Sequence, residues 1–303
     1  MVTMCYPKIL CKKLSTDTQN ISIWTRSFSF RGVCMPYFEY NGLKIHYLDV
    51  DEREDKTKGI PLVLVHGAGS YHVIWSIQIE KFAEKHRVIA IDLTNHGLSD
   101  DNDSPADIDE YAREVAALVD YVGLDKYVLV GHSMGGGVVM SYGLQKDLFQ
   151  PTAMVLVSTR PDLKIRNLAI GLVIEAIEDT FNLLRGRLSK HKSREYEIRS
   201  LEGEYKEKRP KMMSRDLKAC DVFDVTDRLP EIGVPILVVC GDEDNIMPVD
   251  EVQEYEILFP NAEIAIVRKS DHNPMVEQPN QFNDILADFL ELIESERFPG
   301  GMY

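Results

Sequence analysis

Ser133 is the residue with the most chemistry arranged around it. It lies in Gly131-His132-Ser133-Met134-Gly135, between an apolar strand-like run at 127–130 and a helix-like segment from Gly136. A serine on such a strand-to-helix turn is lifted clear of the sheet edge, where its hydroxyl can act as a nucleophile. The two glycines have a physical task. A turn this sharp forces strained backbone angles and brings strand and helix too close for a Cβ on either side. A serine hydroxyl attacks poorly at neutral pH and needs a base within hydrogen-bond reach. His272 follows the last strand-like run, 262–267, and two carboxylates, Asp242 and Asp244, follow the run before it. A carboxylate buried beside the imidazole would hold its tautomer and stabilise the imidazolium.

The elements that must position these groups alternate along the chain. Residues 37–49 read as a β-hairpin around Asn41-Gly42, a strong turn signal. The run 62–65 is continuously apolar, the mark of a strand buried on both faces of a parallel sheet. An amphipathic helix around 73–85 leads to a strand at 87–91. The helix at 107–122 opens with Asp107 and Glu110 in capping-box spacing. A strand at 153–157 follows the serine turn. From about 160 to 228 the alternation stops. An apolar helical stretch (168–184) gives way to a charged one (190–211), read as a solvated helix face. Strands at 236–240 and 262–267 and a closing helix at 280–295 complete a mostly parallel sheet flanked by helices.

Composition narrows the function classes. The 303 residues carry a net charge of −15, which argues against nucleic acid and mildly disfavours anionic substrates. No apolar run approaches a membrane span. Five cysteines form no metal spacing and no disulfide framework, so the expected setting is reducing cytoplasm, with Cys240 a buried thiol. Residues 1–34 differ from the rest in being net positive, and they are expected to be a poorly ordered extension, or to lie upstream of a natural start at Met35. The expected division is a core at 35–159 and 229–303 with a helical cap at 160–228.

Four separated motifs in order resemble the α/β-hydrolase superfamily: His66-Gly67, Asp92 to Ser99, the turn at Ser133, and Gly241–Asp244 with His272. The resemblance runs from about Met35 to Phe298 apart from the insertion. It implies an α/β-hydrolase fold with an inserted helical cap and the order nucleophile, acid, histidine, matched by Ser133, Asp244 and His272. Asp244 is preferred to Asp242 because the family's acid usually lies three residues after the glycine and before a proline. Asp271 reads as a turn residue. The resemblance also implies an oxyanion hole from the backbone N–H groups of Met134 and Ala68.

Other groups have plainer readings. His66, His96 and His132 are expected to orient loops through hydrogen bonds. Gly135-Gly136-Gly137 lacks the Lys-Ser/Thr of a phosphate loop and is read as close helix packing. Trp75, Met212 and Met213 are candidates for the substrate pocket, with ordinary packing the alternative. No metal and no cofactor are expected. The resulting expectation is a carboxylesterase-like serine hydrolase acting on a small uncharged acyl substrate, without nucleic acid or membrane. Carbon–carbon bond hydrolysis, lactone or thioester cleavage, and a slow-turnover small-molecule receptor stay open on the same three residues.

Overall fold

The computed structural model of the chain describes residues 33–34, 36–164, 170–188, 192–249 and 262–297. Among the described residues nine strands form the sheet: β1 (Val33–Cys34), β2 (Tyr37–Tyr40), β3 (Leu43–Val50), β4 (Leu62–Val65), β5 (Val88–Ile91), β6 (Val128–His132), β7 (Ala153–Val157), β8 (Ile236–Gly241) and β9 (Ala262–Val267). Their order is β1-β3-β5-β4-β6-β7-β8-β9, with β2 paired to β3. The pairs from β5 through β9 are parallel, and β1, β2 and β5 pair with β3 antiparallel. The hairpin turn has Asn41 at φ 49° and Gly42 at φ 80°, both in the left-handed region such turns require.

The apolar runs are continuous because each strand feeds two cores. On β4, Val63 and Val65 join one cluster while Leu62 and Leu64 join the other. The first cluster takes in α2 (Ile108–Tyr121) and α3 (Met134–Leu144). The second takes in α1 (Ser76–Phe82) together with α6 (Pro274–Glu277) and α7 (Pro279–Glu294). Helix α2 starts where the sequence suggests, with the Asp107 side chain accepting from the Asp109 and Glu110 amides. Helix α3 is buried all round. Its glycines are packing residues: a Cβ on Gly136 would come within 2.4 Å of Thr159, and one on Gly137 within 2.4 Å of Leu163.

Between β7 and β8 lie α4 (Ile170–Leu188), α5 (Lys192–Val222) and a short 3-10 turn. The stem of this insertion is closed by an antiparallel bridge between Asp162 and Asp224. Arg209 corrects the reading of 190–211 as purely solvated. It is 2% exposed, with its guanidinium 5.1 Å from the Phe181 ring centroid. Lys208 and Lys211 do face solvent, paired with Asp101 and Asp103. The reading of residues 1–34 falls outside the described residues except for β1, which pairs with Val50 and Asp49 and so carries the sheet two residues ahead of Met35. Among the described residues no helix is long and apolar enough to cross a membrane, and Cys220 and Cys240 are buried free thiols.

The serine turn depends on how closely β6 and α3 approach. A Cβ on Gly131 would lie 2.1 Å from the Gly135 carbonyl oxygen, and one on Gly135 would lie 2.5 Å from that of His66. Gly131→Ala should therefore destabilise the protein by about 1–3 kcal/mol, read as a lower urea midpoint. Gly233→Ala, where a Cβ meets nothing within 4 Å, should leave the midpoint unchanged or slightly raised.

Candidate active site

Ser133 occupies φ 53°, ψ −118°, a backbone region that costs a non-glycine residue about 1–3 kcal/mol. Its neighbours hold it there. The Ser133 amide donates to the Val157 carbonyl at 2.9 Å. The Ser133 carbonyl accepts from Thr159 Oγ1 and from the Gly136 amide, each at 2.8 Å. The side chain is left at the carboxyl edge of β6, where the loops after β8 and β9 converge.

His272 Nε2 lies 3.0 Å from Ser133 Oγ, and His272 Nδ1 lies 2.9 Å from Asp244 Oδ2. Asp244 is buried, and its other oxygen accepts from the Ile246 and Met247 amides at 2.9 and 2.8 Å. The carboxylate is thus pinned by its own loop before it meets the imidazole. Burial alone would raise its pKa, but His272 and the two amides hold it below the usual carboxylate value. Burial would lower His272, yet Asp244 outweighs it and raises the imidazole above its ordinary 6.5. Asp242 is exposed and instead accepts from the Lys269 and Ser270 amides. Asp271 accepts from the Asn245 amide, as a turn residue. Gly241 lets the two loops meet, since a Cβ there would lie 2.2 Å from the Ser270 carbonyl oxygen.

The other histidines anchor loops. His132 Nε2–H donates to the His272 carbonyl at 2.9 Å. Burial, then the nearby His272, push the His132 pKa down to about 3. His66 Nε2 accepts from the Leu93 amide at 3.2 Å while Nδ1 donates to the Gly67 carbonyl. Burial, then His96, lower it to about 3. His96 is the opposite case. Burial opposes its charge, but Asp216 at 2.8 Å raises its pKa.

Asp92 explains the Asp92 to Ser99 motif. Its buried carboxylate accepts from the His72 and Leu98 amides and from Nδ1 of both His46 and His72. Gly97, at φ 52°, gives it room, because a Cβ there would lie 2.1 Å from Asp92 Oδ2. Ser99 Oγ donates to the Asp92 carbonyl and accepts from the His46 amide. His46, His72 and Asp92 place ligand-type atoms within 4.8 Å of one another. The carboxylate is filled by N–H donors at hydrogen-bond distances, an arrangement that anchors loops.

A cavity of about 50 Å³ opens on Ser133, with Gly67, Ala68, Met134 and His272 in its wall. Neither the Ala68 nor the Met134 amide donates a hydrogen bond to any of the described residues. The remaining wall is mostly apolar, with Ile74, Leu163, Ile246 and Met247 beside Ile177 and Phe181 of α4 and Leu217 and Cys220 of α5, and its polar members are Ser70, His132, Thr180 and Asn273. No carboxylate, lysine or arginine lines it among the described residues. The pocket candidates from sequence are elsewhere. Trp75 is fully buried beneath the wall, near the Phe282 ring. Met212 packs in the second core, and Met213 sits behind the pocket loop against Gly69. Ile74, one residue before Trp75, and Leu217, four after Met213, take their places.

A strained serine at the carboxyl edge of a parallel sheet, with an imidazole and a pinned carboxylate in line, defines a hydrolase of the α/β type. Residues 62–285 match the model of the alpha/beta hydrolase family, well over half of the chain, and the protein belongs to that family. It is 28% identical to a non-heme haloperoxidase of Rhodococcus erythropolis over 80% of this chain and 95% of that one. Among solved structures it is similar to a thermophilic esterase (28% identity, TM-score 0.66, covering 86% of this chain and 98% of that one). It is also similar to an N-acyl homoserine lactone degrading enzyme (27%, 0.65, 84% and 100%).

The buried groups set a pH profile for stability. His66 and His132 stay neutral in the fold to about pH 3, whereas unfolded histidine protonates near 6.5. The unfolded chain therefore binds more protons below 6.5, and stability is lost as pH drops below that value. Glu114, raised to about 7 by burial against hydrogen bonds from Thr94, offsets one of the two. His96 and His272 are raised, so their contribution is complete below 6.5 and is lost as pH rises through their folded values. His86, also lowered by burial, adds to the acid-side loss, so denaturant midpoints across pH 4.5–9 should peak near 6.5, with stability on the acid side falling by at least about 1.4 kcal/mol per pH unit. His132→Asn should flatten the acid side.

Proposed function

We propose that the protein is a serine hydrolase that cleaves a small uncharged carboxylic ester through an acyl-enzyme on Ser133. The observation that carries this is the continuous chain Ser133 Oγ, His272 Nε2, His272 Nδ1, Asp244 Oδ2, with links of 3.0 and 2.9 Å. In that chain His272 Nδ1–H donates to Asp244, which leaves Nε2 to accept the serine proton as Oγ attacks the ester carbonyl. Asp244 stabilises the imidazolium so formed. The tetrahedral oxyanion is received by the backbone N–H groups of Ala68 and Met134, each worth on the order of 3–4 kcal/mol of transition-state stabilisation. The imidazolium then protonates the leaving alcohol, and water, deprotonated by the same nitrogen, releases the acid.

Helices α4 and α5 serve as the cap. They supply the roof of the pocket, and its apolar, uncharged wall and small volume favour a short neutral acyl group. A cyclic ester is the second reading, supported by the likeness to the lactone-degrading enzyme.

A p-nitrophenyl ester series from acetate to palmitate should give the highest kcat/KM at acetate to butyrate. Ser133→Ala should lower kcat by ~10⁴-fold or more. Asp244→Asn should cost ~10⁴-fold, and Asp242→Asn should leave kcat near wild type. An intact series with Ser133→Ala would overturn the reading. Because His272 must be neutral to accept the proton and its pKa is raised, kcat/KM should rise with pH to a plateau, with its midpoint above 6.5. Asp244→Asn should move that midpoint down.

A further inference from the structure

Asp216, on α5, is a carboxylate with no solvent exposure. It reaches out of the insertion into the loop that follows β4. Its Oδ2 accepts from the Gly69 amide at 2.9 Å and from His96 Nε2 at 2.8 Å, and the Tyr111 hydroxyl lies 3.5 Å from Oδ1. His96 Nδ1 is itself 3.0 Å from the Thr94 carbonyl. Both ring nitrogens therefore face acceptors, and the ring suits the charged form that Asp216 favours. Gly69 has φ +65°, and a Cβ on it would come within 2.6 Å of Met213 Cε. Met213 and Asp216 are three apart on one helix face, so α5 holds this glycine from both packing and hydrogen bonding.

Gly69 is not an ordinary loop residue. Its N–H belongs to the same peptide plane as the Ala68 carbonyl, so fixing that N–H fixes the rotation about the Ala68 Cα–C bond and restrains the Ala68 backbone. A buried ion pair is weak as a source of stability, being often no better than well-packed apolar residues. The Asp216 carboxylate has a more specific use here, since one of its oxygens is shared between the imidazole and this amide.

We propose that Asp216 is a positioning residue for the Ala68 oxyanion donor: by holding the Gly69 amide it orients the Ala68–Gly69 peptide, and it makes that orientation depend on α5 being seated on the core. This rests on the reading of Ala68 as an oxyanion donor given above. The insertion then does more than roof the pocket. With α5 displaced, the Gly69 amide loses its acceptor, and the donor beside it is no longer held for the transition state.

The chain contains a single Ala–Gly step, so the protein labelled with carbonyl-¹³C alanine and ¹⁵N glycine gives one carbonyl-coupled amide signal, that of Gly69. In the wild type this amide should exchange slowly with deuterium, and in Asp216→Ala it should exchange at least tenfold faster. On p-nitrophenyl butyrate, Asp216→Ala should lose kcat by about 10²-fold, as misplacement of a catalytic group does, with KM little changed. Asp216→Asn keeps an oxygen for the Gly69 amide and should recover most of that loss. If Asp216→Ala does not fold, Asp216→Glu retains the charge but misplaces the acceptor, and it should show the same fall in kcat and the same faster exchange. Unchanged Gly69 exchange, or a raised KM with kcat intact, would overturn the proposal and leave Asp216 as an anchor of the helix alone. Absence of ester turnover in the wild type, with Gly69 exchange still governed by Asp216, would instead overturn the ester reading while supporting the hold on the loop.

Discussion

The contact on which everything else depends is the approach of β6 to α3 across Gly131 and Gly135. With no Cβ on either residue, the chain reverses from strand to helix in one turn, and Ser133 is left in a backbone conformation that it would not adopt alone. The strain is borne by ordinary hydrogen bonds, one to the Val157 carbonyl and two from Thr159 and Gly136. Once the serine is fixed at that edge, the loops after β4, β8 and β9 need only converge on one point. Parallel strands deliver them there, because the carboxyl ends of all of them lie on the same side.

Convergence is enforced by carboxylate–imidazole pairs, which recur at this edge. Asp92 gathers His46, His72 and two amides and shapes the loop after β5. Asp216 joins His96 on that loop to Gly69 on the next. Asp244 orients His272, whose carbonyl is held by His132. The chemistry in each pair is the same, an anion offered to N–H donors away from water. The outcome differs with position: of the three, the last has the Ser133 hydroxyl beside its imidazole, and the other two hold main chain.

The parts legible in the sequence were those that a local pattern specifies. The runs 62–65 and 153–157 become strands residue for residue, because a continuous apolar run with turn residues at its ends has few other uses. The serine turn, the hairpin at Asn41-Gly42 and the Asp107 cap are equally local. The pocket wall was not legible. Helix α5 is so rich in charge that no apolar face stands out in its sequence, and nothing in the string distinguishes buried Asp216 or Arg209 from the exposed Lys208 and Lys211 beside them. Trp75, a pocket candidate from sequence, is packed in the core, and the smaller Ile74 faces the cavity. Burial of a charge is decided by a partner far away in sequence, 120 residues in the case of Asp216 and His96, and local reading cannot supply that partner.

If His272 activates Ser133 for attack, the hydroxyl should capture an organophosphate only with the imidazole in place. The direct test is to treat the protein with diethyl p-nitrophenyl phosphate at neutral pH and locate the adduct by peptide mass spectrometry. One diethylphosphoryl group per chain is expected, on Ser133, formed rapidly in the wild type and nearly absent in His272→Ala. Labelling on another residue, or labelling of Ser133 at the same rate without His272, would contradict it.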